Sequence, residues 1–158
     1  MKSGCVTMGR ALVLACGNAL RGDDGVALHI AGCLNGISGP ETRVHTDQQW
    51  APELAQPISQ AETVIFLDAS ISVPPGVIAC RELYTDETAL RSFTHQISPE
   101  ALLALSEELY GCRPEHAYLL TIGGASFDLQ EGLSEPVRHV IPQAIERIKA
   151  LLASSAAR

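Results

Sequence analysis

Residues 10–25, RALVLACGNALRGDDG, decide the fold. Within them, residues 11–16 (ALVLAC) form a continuous apolar run of strand length that Gly17-Asn18 ends. A run without polar alternation suits a strand covered on both faces, the situation inside a parallel sheet. Past the turn, from Asp24 or Gly25 to about Asn35, Val26, Ile30, Cys33 and Leu34 recur at helical spacing. Asp23 or Asp24 suits the first turn or cap of that helix, where the dipole favours negative charge. Strand, glycine turn and helix together are the usual opening of a nucleotide-binding unit. Here, however, two adjacent carboxylates stand where a phosphate would sit.

The rest of the chain repeats the alternation. Short strands are expected at 42–46, 63–68, 77–83 and 117–122, beside the first at 11–16. The clearest is ETVIFLDAS (62–70), with β-branched residues leading to Asp68 at its end. Between the strands, APELAQPIS (51–59) reads as a short helix led by a proline and interrupted near Pro57, and DETALRSF (86–93) as a helical turn. In THQISPEALLALSEELYG (94–111), Ser98 caps a helix whose first residue is Pro99. The last helix sets Val137, Val140, Ile141, Ala144, Ile145, Ile148 and Leu152 on one face, with a kink or restart at Pro142 and fraying after Leu152. Alternating strands and helices predict an α/β domain with a mainly parallel sheet, helices on both sides and VIACREL (77–83) as its antiparallel edge. One domain spanning 1–158 is expected, with flexible ends at about 1–9 and 153–158.

Composition narrows the function. A net charge of −7, from 18 acidic and 11 basic residues with no basic stripe, excludes a nucleic-acid partner. The broken segment ALVLACGNAL is too short to span a bilayer, and no signal peptide is expected, so a soluble, cytoplasmic protein is anticipated. Five cysteines without a C-x-x-C pair read as reduced, mostly buried thiols.

Sites in parallel sheets form at the carboxyl ends of strands, and both Asp23/Asp24 and Asp68 follow strands there. A nucleotide is disfavoured: Gly17, Gly22 and Gly25 do not have dinucleotide spacing, no G-K-[ST] is present, and the carboxylates repel phosphate. As cation ligands they make sense. Asp24, Asp68 and a histidine give an O, O, N set acceptable to zinc, nickel, iron or manganese. His95, in the polar loop SFTHQISPE (92–100), is the histidine best placed to reach across strand ends. His29 and His139 fall inside helices, where surface or packing roles are expected, and His45 and His116 are weaker candidates. Asp23 and Asp24 also have a plain explanation as helix-start residues.

Together LACGNALRGDDGVA (14–27), VIFLDAS (64–70), THQISPEALLALSEELYG (94–111) and LLTIGGASFDLQEGLSEPV (119–137) resemble the hydrogenase maturation endopeptidases, over about residues 11–150. The resemblance implies a three-layer α/β/α fold with about five strands. It also implies Asp24, Asp68 and His95 as catalytic and metal-recognising residues, with Asn18, Asp23 and Gln96 in support. The implied activity is removal of a short C-terminal peptide from the nickel-loaded large-subunit precursor of a [NiFe] hydrogenase. Nickel is expected to arrive with that substrate, so the resting enzyme is metal-free or holds another divalent cation. A monomer is favoured. Two departures stand out: Ala15 replaces the first glycine of G-x-G-N, and Ala27 replaces a glycine after D-D-G-x. Where many relatives have Asp-Gly-Gly, this chain has HTDQQWAPELA (45–55), which weakens transfer of substrate preference. Two other readings remain open: a non-catalytic chaperone that captures nickel-loaded precursor, and a nucleotide-binding α/β enzyme. The residues do not identify an attacking nucleophile; Cys16 adjoins the turn without an evident base.

Overall fold

Both faces of the central sheet are buried, and the strand sequences show why. In β1 (Ala11–Cys16) every residue is buried. Val13 and Ala15 join one core while Leu12 and Leu14 join the other, because successive side chains point to opposite faces. β3 (Thr63–Ser70) divides likewise: Ile65 and Leu67 face one core, Val64 and Phe66 the other. The structure is a computed structural model that describes Cys5, residues 11–91 and residues 96–156.

β1, β3, β2 (Thr42–Asp47), β4 (Ile78–Glu82) and β5 (His116–Gly123) make one sheet in the order β2-β1-β3-β5-β4. The first four strands in that order run parallel, and β4 pairs antiparallel with β5 at the edge, as expected for VIACREL. On one face lie α1 (Val26–Leu34) and α5 (Glu135–Ala156). On the other lie α2 (Ala55–Ser59), α3 (Glu87–Arg91) and α4 (Pro99–Tyr110). The architecture is the three-layer α/β/α sandwich. Its parallel strands deliver their carboxyl ends, and the connections that follow them, to one side of the molecule.

Local chemistry sets the helix limits. The Ser98 hydroxyl accepts the Ala101 N–H at 3.1 Å, Pro99 opens α4, and Gly111 in the left-handed region (φ 69°) closes it. Several expectations need correction. Cys33 is exposed; Ala27 and Ala31 instead join Val26, Ile30 and Leu34 on the buried face of α1. Pro57 does not interrupt its helix, because it falls in the first turn of α2, where its missing N–H costs no bond. α5 runs through Pro142 without a break and continues past Leu152 to Ala156. Its apolar face, Val137, Ile141, Ala144 and Ile148, holds it against the sheet on both sides of the proline. Cys5 and Cys112 are joined by a disulfide, whereas Cys16, Cys33 and Cys80 are free. No helix among the described residues is long and apolar enough to cross a membrane.

Candidate active site at the carboxyl ends of the strands

The turn after β1 is tight enough to consume its own backbone. Gly17 N–H donates to the Asp47 carbonyl (3.1 Å), Asn18 N–H to Asp24 Oδ2 (2.8 Å) and Leu20 N–H to Asn18 Oδ1 (2.9 Å). Arg21 N–H donates to the Asn18 carbonyl, Gly22 N–H to Gln130, Asp23 N–H to Ser126 and Asp24 N–H to Arg21. A phosphate cradle needs such amides unengaged. Seven of the eight amides from Gly17 to Asp24 already have internal acceptors, which removes the physical basis for a nucleotide site here. The glycines serve packing instead. A Cβ on Gly17 would lie 1.9 Å from the Asp24 carbonyl oxygen, and one on Gly22 (φ 56°) would lie 2.7 Å from the Ser126 carbonyl oxygen. The methyl groups of Ala15 and Ala27, by contrast, are buried in the core, so these departures from glycine leave the turn intact.

The two adjacent aspartates do different things. Asp23 is wholly buried and gathers four hydrogen bonds from the connection between β5 and α5. The Ala125, Ser126 and Ser134 amides and the Ser134 hydroxyl donate to it at 2.7, 3.1, 2.7 and 2.7 Å. Burial pushes its carboxyl pKa up, but these donors outweigh burial and hold it below the usual value. Asp24 is partly exposed. One of its oxygens accepts the Asn18 amide; the other has no hydrogen-bond donor among the described residues.

Asp68 lies near the end of β3, the hydrogen-bonded neighbour of β1. Its Oδ1 accepts the Ala69 N–H at 2.8 Å, and its Oδ2 likewise lacks a donor among the described residues. Burial, followed by the charge of Asp24, pushes its pKa up to about 6 against the pull of the Ala69 amide. The two carboxylates therefore share one electrostatic environment. His95, expected as the third member, lies outside the described residues. Among the described residues no group of three or more His, Cys, Asp or Glu side chains is arranged to hold a metal ion. Gln96 is exposed, as are His29, His45 and His139, while His116 is partly buried at the start of β5, the opposite end of the sheet.

Sequence reasoning undervalued Cys16 and Asp47. They pair across β1 and β2 at the same end of the sheet. Burial, then the charges of Asp68, Asp24 and Asp47, push the Cys16 thiol up to about 12, against a hydrogen bond from the Trp50 backbone. A thiol so protected from ionisation is not a nucleophile at neutral pH. Trp50 in turn packs edge-on against Phe66, with ring centroids 5.3 Å apart. The sequence signal for Asp47 was its position as the polar end of a parallel strand, the same signal that singled out Asp68.

Comparison with family models and with curated proteins gives no match. Solved structures do match. The hydrogenase maturating endopeptidase HybD from E. coli superposes with a TM-score of 0.72 at 26% identity, over 92% of this chain and 93% of that one. The solution structure of an endopeptidase from Escherichia coli gives 0.69 at 26% identity, with coverage of 92% and 93%. The hydrogenase 2 maturation peptidase from Thaumarchaeota archaeon SCGC_AB-539-E09 gives 0.66 at 27% identity, with coverage of 90% and 97%. Matching in fold along nine-tenths of its length, the chain is a structural homologue of the hydrogenase maturation endopeptidases.

Proposed function

We propose that this protein is an endopeptidase that removes a short C-terminal peptide from the nickel-loaded large-subunit precursor of a [NiFe] hydrogenase. The observation that carries the reading is the Asp24–Asp68 pair. Asp24, in the turn after β1, and Asp68, near the end of the neighbouring parallel strand β3, each have one oxygen engaged by a backbone N–H and the other without a donor among the described residues. Such a pair is costly to the fold and useful to a cation. In this reading Asp24, Asp68 and His95 recognise the nickel that the precursor brings. Carboxylate and imidazole donors suit that ion, and three ligands leave room for groups of the substrate. The backbone amides of Asn18 and Ala69 orient the two carboxylates. Binding the ion fixes the precursor so that the peptide bond beside it is presented to water, the co-reactant of hydrolysis. Cys16 stays protonated and takes no part as a nucleophile. The reaction is placed in the cytoplasm, on a folded precursor.

The test uses matched nickel-loaded and nickel-free precursors and follows loss of the C-terminal peptide by mass. The expected result is cleavage of the loaded form only. Asp24→Asn, Asp68→Asn and His95→Ala are each expected to slow it by at least about a hundredfold with the fold retained. Equal cleavage of both precursors would remove nickel selectivity, and wild-type rates in all three variants would remove the site. Tight binding of loaded precursor without cleavage would identify a maturation chaperone instead.

A further inference from the structure

We propose that Leu20, Ile71, Val77 and Leu129 form an apolar rim around the carboxylate pair, and that this rim binds aliphatic side chains of the precursor segment bordering the cut. The inference rests on the endopeptidase reading and names the part of the substrate that the carboxylates do not hold.

Topology brings the four residues together. Leu20 lies in the turn after β1, Ile71 directly follows β3, and Leu129 lies in the connection after β5. Val77 immediately precedes the antiparallel β4, and its carbonyl accepts the Gly123 N–H at the end of β5. All four therefore emerge at the end of the sheet that carries Asp24 and Asp68. Their exposures are high: 57% for Leu20, 82% for Ile71, 44% for Val77 and 85% for Leu129. The other large exposed hydrophobics among the described residues, Ile37, Tyr84, Leu109 and Tyr110, lie in or beside connections at the opposite end.

The rim is also held in place. Gln130 N–H donates to the Leu20 carbonyl (3.0 Å), Gly22 N–H donates to the Gln130 carbonyl (2.7 Å), and Arg21 pairs with Gln130 as an isolated parallel bridge. Asp23 latches the same connection from inside. Beside Ile71, the Ser70 carbonyl accepts the Gly124 N–H and the Ser70 hydroxyl accepts the Ser72 N–H, both at 3.0 Å. Aliphatic side chains on a fixed backbone can be buried by a partner without the cost of ordering a loop. Clustered apolar exposure next to a polar site is characteristic of a recognition surface. Charge selects the occupant: Asp24, Asp47 and Asp68 at this end repel an acidic segment, so the bound stretch carries aliphatic and no acidic side chains.

The rim's contribution does not need metal, so nickel-free precursor isolates it. Equilibrium binding of that precursor is measured for the wild type, Ile71→Ser, Leu129→Ser and, as a control at the opposite end, Ile37→Ser, with melting temperatures to confirm folding. Ile71→Ser and Leu129→Ser are expected to weaken binding about fivefold to tenfold, with Ile37→Ser unchanged. Replacing the aliphatic residues that border the cut with serine is expected to cause a similar loss, which Ile71→Ser then does not deepen. Unchanged binding in both rim variants, or no binding by the wild type, would overturn the proposal. So would self-association of the wild type that the rim variants abolish, since a second copy would then be the occupant. Cleavage of nickel-loaded precursor is followed in parallel. Binding that behaves as expected without any cleavage would defeat the endopeptidase reading and leave the rim standing.

Discussion

Asp68 holds a proton more tightly in the folded protein than in the unfolded chain, with a pKa of about 6 against an ordinary 3.8. Burial and then the charge of Asp24 are the causes. A raised acid pKa works against the fold at neutral pH. Well below its ordinary 3.8 the group is neutral in both states and costs nothing. As pH rises through 6, the unfolded chain has already released its proton, and stability falls to a plateau. Asp68→Asn keeps an oxygen for the Ala69 amide and removes the charge. It is expected to raise the melting temperature at pH 8 by about 5 °C, from about 2 kcal/mol once partial exposure is allowed for. At pH 4 the gain should fall to about a fifth of that. Thermal unfolding of both proteins from pH 4 to 8 checks this, and a difference independent of pH would mean that burial of the charge is not its source. Asp23 titrates in the opposite sense, contributing stability that is lost as pH falls below its ordinary value, but it is common to both proteins and cancels in the comparison.

The connection between β5 and α5 is an element without regular structure, held to the turn after β1 by backbone hydrogen bonds and by one buried side chain, Asp23. Removing Asp23 would leave the partly buried amides of Ala125, Ser126 and Ser134 without the carboxylate that accepts them. Asp23→Ala is accordingly expected to cost about 3–5 kcal/mol, and Asp23→Asn less because its amide oxygen still accepts. Hydrogen exchange should show the loss first at Ala125, Ser126 and Ser134, with β1 and β3 still protected; uniform loss of protection would mean that Asp23 supports the whole core rather than this latch. Legibility in the sequence follows the same division. β1 and β3 were readable because parallel strands covered on both faces write themselves as apolar runs, and the acidic residues that end or follow those runs pointed to Asp68 and Asp24. The latch was not readable, because its partners lie 102 to 111 residues downstream of Asp23 and ordinary loop residues supply them. Pairing between distant backbone amides and one carboxylate leaves no periodic trace. The same limit applied to Cys16 and Asp47, whose proximity comes from strand register.

For the molecule as a whole, the Cys5–Cys112 disulfide is the longest-range covalent constraint. Five cysteines without a local pair motif do not reveal which two lie close, and the expectation of reduced thiols fails at this pair. The bond joins the start of the chain to the connection between α4 and β5, with Cα atoms 5.9 Å apart and 107 residues of separation. Cys112 is itself buried, and its carbonyl accepts the Ser106 hydroxyl at 2.8 Å, so this anchor is part of the fold even without the bond. A cross-link across so long a loop acts mainly on the unfolded ensemble, which loses conformations it would otherwise reach. The effect is typically about 2–4 kcal/mol. For a chain of 158 residues that corresponds to about 5–12 °C in melting temperature. Reduction is therefore expected to lower the melting temperature by this amount while far-ultraviolet dichroism of the native state stays unchanged. Cys112→Ser should melt at the reduced protein's temperature and no longer respond to reductant. Because the candidate site lies at the carboxyl ends of the strands and Cys112 precedes the amino end of β5, precursor binding should be the same in both redox states. A melting temperature indifferent to reductant would show that the tether constrains nothing in the unfolded chain, and a redox-dependent affinity would show that the two ends of the sheet communicate.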